Sequence, residues 1–585
     1  MASTATQRDH TKYLLDRNKQ SVYSEFIRRS GMQLPEFVRP LRGETEHDPR
    51  PNKSLIEPTS LSAWQSYRYK TQWAEIVQHG VCPRWKSGFA VQDAPPANHG
   101  SAVRALNIIV KCLRKGQDEN RYLILDLELL SILHGVTCSP FGAVQKGDAD
   151  LTVDARLIHD LSFPPGASVN GNTVPDHEID VCYDGPDALA NRILDVDEVF
   201  PKLQQMMTGD VNGAFRNIPV SADNIDRFAG TIPELGILVI DLCCPFGWSN
   251  SPVSYWVAGA AISHLYSCSA PEWPLQPTSG KNNFDAKTWW RALGLDWNLH
   301  SNTVSMPPEK ISKALYRVHD MATRAKTTRT QLQKLLGSLR HVLTCVRAAT
   351  PFFQRVAALA RAAPRFGTVE VSFEAKGDLQ WFEMVIRIGK LNVVPLSRFT
   401  RRQEPNYHIQ MDASDKGLCA LFPLRKQYLQ VQFTDAEIDL IRQCNEEGDS
   451  TFCINVRELM SAVFASLVWG CTWKDLTDNE EAHVKFWIEN TSAVAWSNHK
   501  TSRNLFAQML LRILGICEVQ HGFYTMAAHV AGVDNQMADA GSRIWQSPVL
   551  AAEFANLSSD WTQVQIPAAL RDLSRLWERY CEQVP

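Results

Sequence analysis

Four carboxylates in the C-terminal part of the chain are distributed in a way that could support metal-ion chemistry. Asp412 closes the apolar run IQMD, Glu489 follows the run HVKFWI, and Asp539 lies in DNQMADAGSR. Glu458 lies in the first turn of a helix predicted over NVRELMSAVFASLVWG. Acids that meet at one edge of a sheet repel each other unless divalent cations neutralise them, and Mg²⁺ favours hard oxygen ligands. We therefore predict that these four acids bind Mg²⁺, or Mn²⁺ in its place.

Alternating β-like and helical patterns surround these acids. The runs YHIQMD, GLCALF and KQYLQVQF predict three strands, and the long helix follows with Asn455 as its expected N-cap. A strand HVKFWIEN, a helix NLFAQMLLRILGICEV and a strand YTMAAHV come next. This order predicts a mixed sheet with helices packed against it. Strand ends and helix starts can converge at one edge of such a sheet.

A further carboxylate, Asp210, lies in the stretch GDVNGAFRNIPV. It either caps a turn or binds a metal ion, and a metal ion there needs other carboxylates nearby. Between about residues 100 and 305, short β-like runs such as RYLILDLELL and ELGILVIDLCC alternate with turns and with a helix-like stretch, SPVSYWVAGAAISHLY. This pattern predicts an α+β region.

A basic segment follows. Residues 310–365 contain twelve lysines and arginines and a single acid, Asp320, although the whole chain has a net charge of -3. Within it, leucines and valines recur at helical spacing and leave Lys334, Arg340 and Arg347 off the apolar stripe. Such a surface could bind a polyanion, because neutralised phosphates release counterions. A solvated helix surface is the alternative interpretation.

Length and composition limit the class of protein. A chain of 585 residues exceeds the size of a single core, so we expect several domains. No apolar run is long enough to cross a bilayer, and the N-terminus lacks the apolar core of a signal peptide. We expect no membrane association and an intracellular location, in the cytoplasm or the nucleus. The fourteen cysteines show no zinc-ligand spacing and are expected to be reduced thiols.

The region of the four acids resembles a ribonuclease H domain of the kind fused to reverse transcriptases. That family uses Asp, Glu, Asp and Asp, in this order, to hold two metal ions that activate water and stabilise the leaving oxygen. Asp412, Glu458 and Asp539 match these positions. His529 and Asn535, ten and four positions before Asp539, have the spacing of the family's mobile histidine and its adjacent asparagine.

Glu489 departs from the family pattern, which has aspartate at this position. The extra methylene displaces the carboxylate oxygens by more than about an ångström unless the strand end moves, whereas metal sites need ligands placed within a few tenths of an ångström. We therefore expect weakened nuclease activity, with nucleic-acid binding less affected.

The earlier part of the chain resembles three consecutive reverse transcriptase motifs, in TVDARLIHDLSFPPGASVN, DVNGAFRNIP and CCPFGWSNSPVSYW. The resemblance assigns Asp210 to the first metal-ligand position of the palm. The residues that it assigns to nucleotide binding are Arg156, Lys146, Phe215, Phe246 and Gly247. Phe215 takes the place of the aromatic gate that favours deoxynucleotides. The run LLGSLRH resembles part of the family's thumb region. The amino-acid sequences of the motifs are most similar to those of DIRS-like or Ty3-like retroelements.

One required polymerase motif is missing. A reverse transcriptase needs an aromatic-x-Asp-Asp hairpin after PFGWSNSP, and no Asp-Asp occurs between Tyr255 and Trp297. Asp285 and Asp296 are isolated acids without the flanking residues of that motif. We therefore expect an inactive polymerase, from which the hairpin has been lost by decay or by a mistaken gene model.

The resemblance implies an α+β multidomain chain, with reverse transcriptase-like fingers, palm and thumb followed by a ribonuclease H-like α/β domain. The predicted parts are an N-terminal helical and irregular region, fingers and palm, a basic helical thumb or connection, the ribonuclease H-like domain and a C-terminal tail; their bounds are 1–95, 96–305, 306–400, 401–547 and 548–585.

The predicted function is that of a retrotransposon-derived polypeptide that acts on RNA–DNA hybrids. We expect the chain to be a polymerase and nuclease fragment of a longer element. Deoxynucleotides are expected partners only if the polymerase site is complete. Two other classes stay open. One is a non-catalytic nucleic-acid-binding remnant that uses the basic thumb, and the other is an unrelated α/β interaction protein.

Overall fold

The computed structural model describes residues 14–89, 92–146, 150–206, 211–269, 289–364, 367–400, 403–447, 451–477 and 481–583. Helices alternate with several β-sheets along the chain, which confirms the mixed α and β character. The chain divides into two compact units, one of Met1–Tyr183 and Gly209–Asn282 and the other of Asp184–Thr208 and Asn283–Pro585. No helix within these ranges combines the length and the apolar character that a membrane crossing requires.

The elements are numbered in chain order. The helices are α1 (Arg17–Ser30), α2 (Leu34–Leu41), α3 (Lys70–His79), α4 (Gly100–Arg104), α5 (Leu106–Asp118), α6 (Val169–Asn172), α7 (Pro186–Val199), α8 (Ser251–Ser269), α9 (Pro308–Thr323), α10 (Arg329–Cys345), α11 (Thr350–Ala362), α12 (Phe373–Ile388), α13 (Asp435–Glu447), α14 (Ile454–Leu476), α15 (Thr491–His499), α16 (Leu505–His521), α17 (Gln536–Ser542), α18 (Pro548–Leu557), α19 (Ala568–Arg571) and α20 (Leu573–Gln583). The strands are β1 (Tyr122–Asp126), β2 (Phe141–Gln145), β3 (Ala155–His159), β4 (Ala229–Ile232), β5 (Ile237–Asp241), β6 (Trp289–Ala292), β7 (Leu295–Asn298), β8 (Thr303–Ser305), β9 (Lys326–Thr327), β10 (Val369–Glu370), β11 (Val394–Pro395), β12 (Tyr407–Ala413), β13 (Gly417–Phe422), β14 (Gln427–Gln432), β15 (Ala482–Ile488), β16 (Phe523–His529) and β17 (Thr562–Gln563).

The first unit is built around a three-stranded antiparallel sheet in the order β1-β5-β4. Every residue of the central strand β5 is buried. Its core also includes Leu34, Phe37 and Trp64 from the N-terminal region, so that region packs into the same core as the sheet. A separate antiparallel pair joins β2 to β3, and β3 lies within the first of the three motifs, TVDARLIHDLSFPPGASVN.

The second unit contains a six-stranded sheet in the order β16-β15-β12-β13-β14-β17. Strands β12, β13 and β14 are antiparallel neighbours, whereas β12 with β15 and β15 with β16 are parallel pairs. Helices α14 and α16 pack in one apolar cluster with side chains from one face of the sheet, including Ile409, Val484 and Phe486. The small cluster on Cys419 and Leu421 packs against α17 and α18 instead.

The parallel pairs determine which residues meet at one edge. Strands β12, β15 and β16 run in the same direction, so their C-terminal ends point to the same edge of the sheet. Asp412 is the last residue but one of β12, Glu489 directly follows β15, and His529 ends β16. The topology therefore brings the ends of these three strands side by side.

The long helix begins slightly earlier than the cap prediction requires. Helix α14 starts at Ile454 with Cys453 as its N-cap, so the prediction of Asn455 as the cap is wrong. Glu458 is consequently the fifth residue of the helix, in its second turn and not its first. Burial of Phe452 and Val456 in the core fixes where the helix starts, and such packing overrides the intrinsic preference of Asn for a cap.

The predicted basic helix is confirmed as α10. It begins with a capping box between Thr328 and Gln331, and its buried residues include the predicted stripe from Leu332 to Val342. Lys334 and Arg340 are exposed, as predicted. The helix ends at Cys345, so Arg347 lies beyond it in a 3₁₀ turn.

The C-terminal tail belongs to the core of the second unit. Leu573 and Leu576 of α20 are buried in the cluster that fills the six-stranded sheet. The two-residue strand β17 also extends that sheet by pairing with β14, and sequence patterns did not predict it.

A buried group of charges joins three helices within the second unit. Arg512 of α16 donates to both carboxylate oxygens of Asp378 on α12, at 3.1 and 3.2 Å. Arg355 of α11 lies 3.4 Å from the same carboxylate. The side chains of Arg512 and Asp378 are only 2 and 1% exposed. The carboxylate thus compensates two guanidinium groups at once.

We expect Asp378→Ala to lower the free energy of unfolding by about 3 to 5 kcal/mol, because it leaves guanidinium charges without a buried partner. Chemical denaturation followed by circular dichroism measures this change. The control is Arg387→Met, which removes an exposed pair with Glu383 and should cost less than about 1 kcal/mol. Equal losses in the two variants would show that the buried group is not specially stabilising.

Candidate metal centre

The four acids predicted as metal ligands lie at the C-terminal edge of β12 and β15 and on the helices beside it. Asp412 and Glu458 are 2 and 3% exposed. Asp539, the fourth residue of α17, is half-buried, and Glu489 is exposed. The edge therefore combines two carboxylates withdrawn from water with two that solvent reaches.

Burial and mutual repulsion act on the two inner carboxylates. Burial is the main cause that raises the pKa of Asp412 to about 6; the charges of Asp539 and Glu489 also raise it, whereas a hydrogen bond from Ser542 and the charge of Arg543 lower it. The pKa of Glu458 is raised well above its ordinary value by burial, then by the charges of Asp412 and Glu489. The four acids therefore form one electrostatic group.

One oxygen of this group is buried without a partner. Glu458 Oε2 has no hydrogen-bond partner among the residues that the structure describes, and the same holds for Asn535 Oδ1. A backbone N–H bond from Ala413 offsets part of the cost of burying the Glu458 carboxylate. A buried carboxylate oxygen without a donor is costly, and a water or a cation normally satisfies such an atom.

Carboxylate oxygens are the kind of donor that a hard divalent cation prefers. All four candidate ligands are carboxylates, and a buried oxygen of Glu458 is left free to bind. No group of three His, Cys, Asp or Glu side chains within the described ranges is arranged so that it could hold an ion. Mg²⁺ commonly keeps several waters and uses only one or two protein carboxylates together with substrate phosphates. Metal binding at this edge stays a prediction.

A shell of polar side chains holds the acids in place. The buried hydroxyl of Ser542 donates to Asp412 Oδ2 at 2.5 Å. Asn535 Nδ2 donates to the Met411 carbonyl at 3.0 Å and so joins the start of α17 to β12. Arg543 lies 2.8 Å from Asp539. These contacts fix the carboxylates before any ligand binds.

Ser542 and Arg543 were not predicted from the sequence as parts of the site. Both follow Asp539 at helical spacing, three and four positions later, which places them near it on the helix surface. That spacing is the signal that could have identified them.

His529 reaches the same edge. Its backbone pairs with Ile488, the residue directly before Glu489, and its side chain is exposed. A Cβ atom added to Gly532 would lie 3.0 Å from Glu489 Oε1, so the Glu489 carboxylate lies against the loop between β16 and α17. The longer side chain is thus accommodated beside that loop.

The residues assigned to nucleotide binding lie in the first unit, near β3. Arg156 is exposed on β3, and Lys146 follows β2 with Asp154 at 3.4 Å from its Nζ. Gly247 has φ of +113°, and a Cβ atom there would lie 2.7 Å from the carbonyl oxygen of His159 on β3, so only glycine fits. The structure thus brings the PFGWSNSP motif against the strand that carries Arg156.

The aromatic gate candidate is part of a small aromatic group. The Phe215 ring lies 5.0 Å from that of Phe246 and 5.7 Å from that of Tyr255. Asp210 and Asp285 lie outside the described residues. Asp296 is a buried residue of β7 whose carboxylate pairs with Arg291 at 2.7 Å.

The three basic residues predicted to contact nucleic acid differ in their surroundings. Lys334 and Arg340 have no ion-pair partner in the part of the chain that the structure describes. Arg347 lies 2.7 Å from Asp187 of α7, so its charge is locally compensated. Only the first two therefore present unpaired positive charge on α10.

A pocket of about 490 Å³ opens beside the starts of α14 and α16. Its lining includes Asn455, three residues before Glu458, together with Ser502, Arg503 and Asn504. Helix N-termini carry partial positive charge, and Arg503 adds a full one. The pocket is therefore suited to a phosphate group.

No protein-family model and no curated protein matches the chain. The assignment of the site therefore rests on its geometry and on the motif resemblance.

The raised pKa of Asp412 predicts a pH dependence of stability in the absence of divalent cations. Because the folded-state pKa is about 6 and the ordinary value is 3.8, the folded state binds the proton more tightly. This stabilising contribution is complete below about pH 4 and is lost as the pH rises through about 6. Its size is roughly 2 to 3 kcal/mol.

Asp412→Asn should remove that contribution and make the unfolding free energy depend less steeply on pH between about 4 and 7, and Glu458 should cause the dependence that is left. Urea denaturation at a series of pH values measures it. Asp534→Asn, which neutralises an exposed acid in the adjacent loop, is the control and should keep the wild-type slope. Identical slopes for Asp412→Asn and wild type would contradict the raised pKa.

Proposed function

We propose that the second unit is a ribonuclease H of the retroelement type, which hydrolyses the RNA strand of RNA–DNA hybrids with Mg²⁺ or Mn²⁺. The observation that carries this proposal is the electrostatic group of Asp412, Glu458, Glu489 and Asp539 at one sheet edge. The strand order, with three antiparallel strands followed by two parallel ones, supports the same family.

The inner carboxylates, Asp412 and Glu458, would hold the ions, with Asp539 and Glu489 at the solvent side. Bound divalent ions lower the pKa of water and stabilise the leaving oxygen. Ser542 keeps the Asp412 carboxylate in one orientation, and Glu458 offers an oxygen that no protein donor uses. The protein's own contribution is thus a fixed set of negative oxygens in a poorly hydrated edge.

His529 is suited to proton exchange at this edge. Its imidazole is exposed at the end of β16, beside Glu489. An exposed imidazole can deliver a proton to a leaving oxygen and recover it from solvent.

The substrate would be bound through its phosphates. The pocket with Asn455 and Arg503 begins about one helical turn before Glu458 on α14, and α10 in the same unit presents Lys334 and Arg340. Contacts to phosphates position a duplex without reading its sequence. We therefore propose recognition of hybrid shape and backbone charge.

The first unit would be the reverse transcriptase-like part of the same retrotransposon-derived polypeptide. The placement of Arg156, Phe215 and Gly247 supports this relation. The absence of an Asp-Asp pair between Tyr255 and Trp297 makes it an inactive polymerase, with deoxynucleotides bound only if the site is complete.

A second candidate is a non-catalytic nucleic-acid-binding remnant. The observation in its favour is Glu489, whose carboxylate lies against the Gly532 loop on the solvent side of the edge. In that case the basic surface of α10 binds duplex nucleic acid while the acids carry out no hydrolysis.

Metal-dependent cleavage separates the two candidates. We expect slow hydrolysis of labelled RNA in a hybrid with Mg²⁺ or Mn²⁺. Asp412→Asn should lower the rate more than about a hundredfold, because mutation of residues that only support metal ligands already lowers activity by about 10 to 100-fold. Glu489→Asp should raise the rate by restoring the shorter ligand. Asp534→Asn should leave the rate unchanged. Cleavage that persists in Asp412→Asn would indicate a contaminating nuclease and refute the proposed site.

Hybrid binding should depend on salt through α10. Removing two phosphate contacts with Lys334→Glu and Arg340→Glu should reduce the log-log salt slope by about 2 and weaken binding. Arg347→Glu should have a smaller effect because Asp187 already compensates Arg347. Fluorescence anisotropy between low and moderate salt measures these slopes. An unchanged salt slope in the double variant would show that α10 is not part of the binding surface.

A further inference from the structure

The first unit contains a basic pocket that none of the predicted site residues lines. Its volume is about 530 Å³. Segments from α1, the end of α2, the loop of residues 51–54, the residues between α5 and β1, the turn after Gly213 and the end of β5 form its walls. Its charged lining residues are Lys19, Arg42, Lys53, Arg121, Arg216 and Glu119.

Two of the five cations have a carboxylate within 3 Å, and two more, Lys53 and Arg42, have one at 3.2 and 3.5 Å. Arg216 binds both oxygens of Asp241 at 2.5 and 2.6 Å, and Arg121 lies 2.9 Å from Glu119. Lys53 lies 3.2 Å from Asp48 and keeps an exposed side chain. Lys19 donates to neutral oxygens, those of Asn120 at 3.0 Å and of the Gln117 backbone at 3.4 Å.

Arg42 is the most unusual of these groups. Its side chain is only 8% exposed, and it donates to the carbonyl oxygens of Val220 at 2.9 Å and Leu242 at 2.6 Å. The Glu44 carboxylate is no closer than 3.5 Å. Burial lowers the pKa of Arg42, because the charged guanidinium loses solvation by water.

An arginine has five N–H donors; Arg42 gives two of them to neutral carbonyls, which cancel no charge, and its interaction with the Glu44 carboxylate compensates part of its charge. The pocket therefore offers unused N–H donors on a buried cation, together with the ammonium groups of Lys19 and Lys53. An anion with several oxygens could contact them together.

We propose that this pocket binds a small oligophosphate. Its volume lies in the range of small-ligand sites, and guanidinium and ammonium groups are the usual partners of phosphate oxygens. A concave site walled by six chain segments suits a compact ligand better than a rod-like duplex. Lys146 and Arg156 do not line it, so it is separate from the nucleotide-binding residues assigned by the motif resemblance.

Isothermal titration calorimetry with sodium tripolyphosphate, in buffer without divalent cations, tests the proposal on the full chain. We expect one binding site per chain. The double variant Lys19→Gln, Lys53→Gln should weaken binding by about tenfold or more, because it removes two charge-assisted contacts. Lys70→Gln, the same change on α3 outside the pocket, should leave it unchanged.

Arg42→Gln tests the buried cation directly, and circular dichroism shows whether that variant folds. If Arg42→Gln does not fold, the lysine double variant still tests the proposal, because neither lysine is buried. Titration with ATP identifies the biological form: tighter binding than tripolyphosphate indicates a nucleotide, and equal binding indicates an inorganic oligophosphate. Unchanged affinity in the double variant, or full displacement of tripolyphosphate by a short nucleic-acid duplex, would overturn the proposal.

Discussion

Repulsion between two buried carboxylates is the constraint around which the edge of the six-stranded sheet is organised. Asp412 and Glu458 are almost fully withdrawn from water, and the charge of Asp412 raises the cost of ionising Glu458. A protein interior holds such charges only with compensation. The Ser542 hydroxyl and the Ala413 N–H supply part of it, and one oxygen of Glu458 stays without a donor. Under the proposed function, a divalent cation would complete this compensation.

The sheet topology makes the constraint unavoidable. Strands β12, β15 and β16 run in parallel, so their C-terminal ends share one edge, and α14 and α17 bring two further acids to it. Apolar packing of α14 and α16 on the sheet fixes these elements firmly. The burial that stabilises the fold is therefore the same burial that raises the pKa values of the acids. Stability of the core and strain at the site come from one arrangement.

Local patterns were sufficient for the elements that carry the site. Apolar strands and the long helices around the acids are encoded within each segment, so their order could be read from the chain. Contacts between distant residues were not predictable in this way. Arg347 looked like a free cation, yet its partner Asp187 is 160 residues away. The two residues of β17 pair with β14 only because the tail folds back, which local patterns do not show. The start of α14 was not predictable either, because the packing of Phe452 and Val456 decides it.

The most direct test of the account is anomalous X-ray scattering from crystals of the protein grown with Mn²⁺, recorded at the manganese absorption edge. The account predicts an anomalous peak at the C-terminal edge of β12, in contact with carboxylate oxygens of Asp412 and Glu458, and no such peak in crystals of Asp412→Asn. Crystals of the wild-type protein that bind Mn²⁺ elsewhere but show no peak at this edge would contradict it.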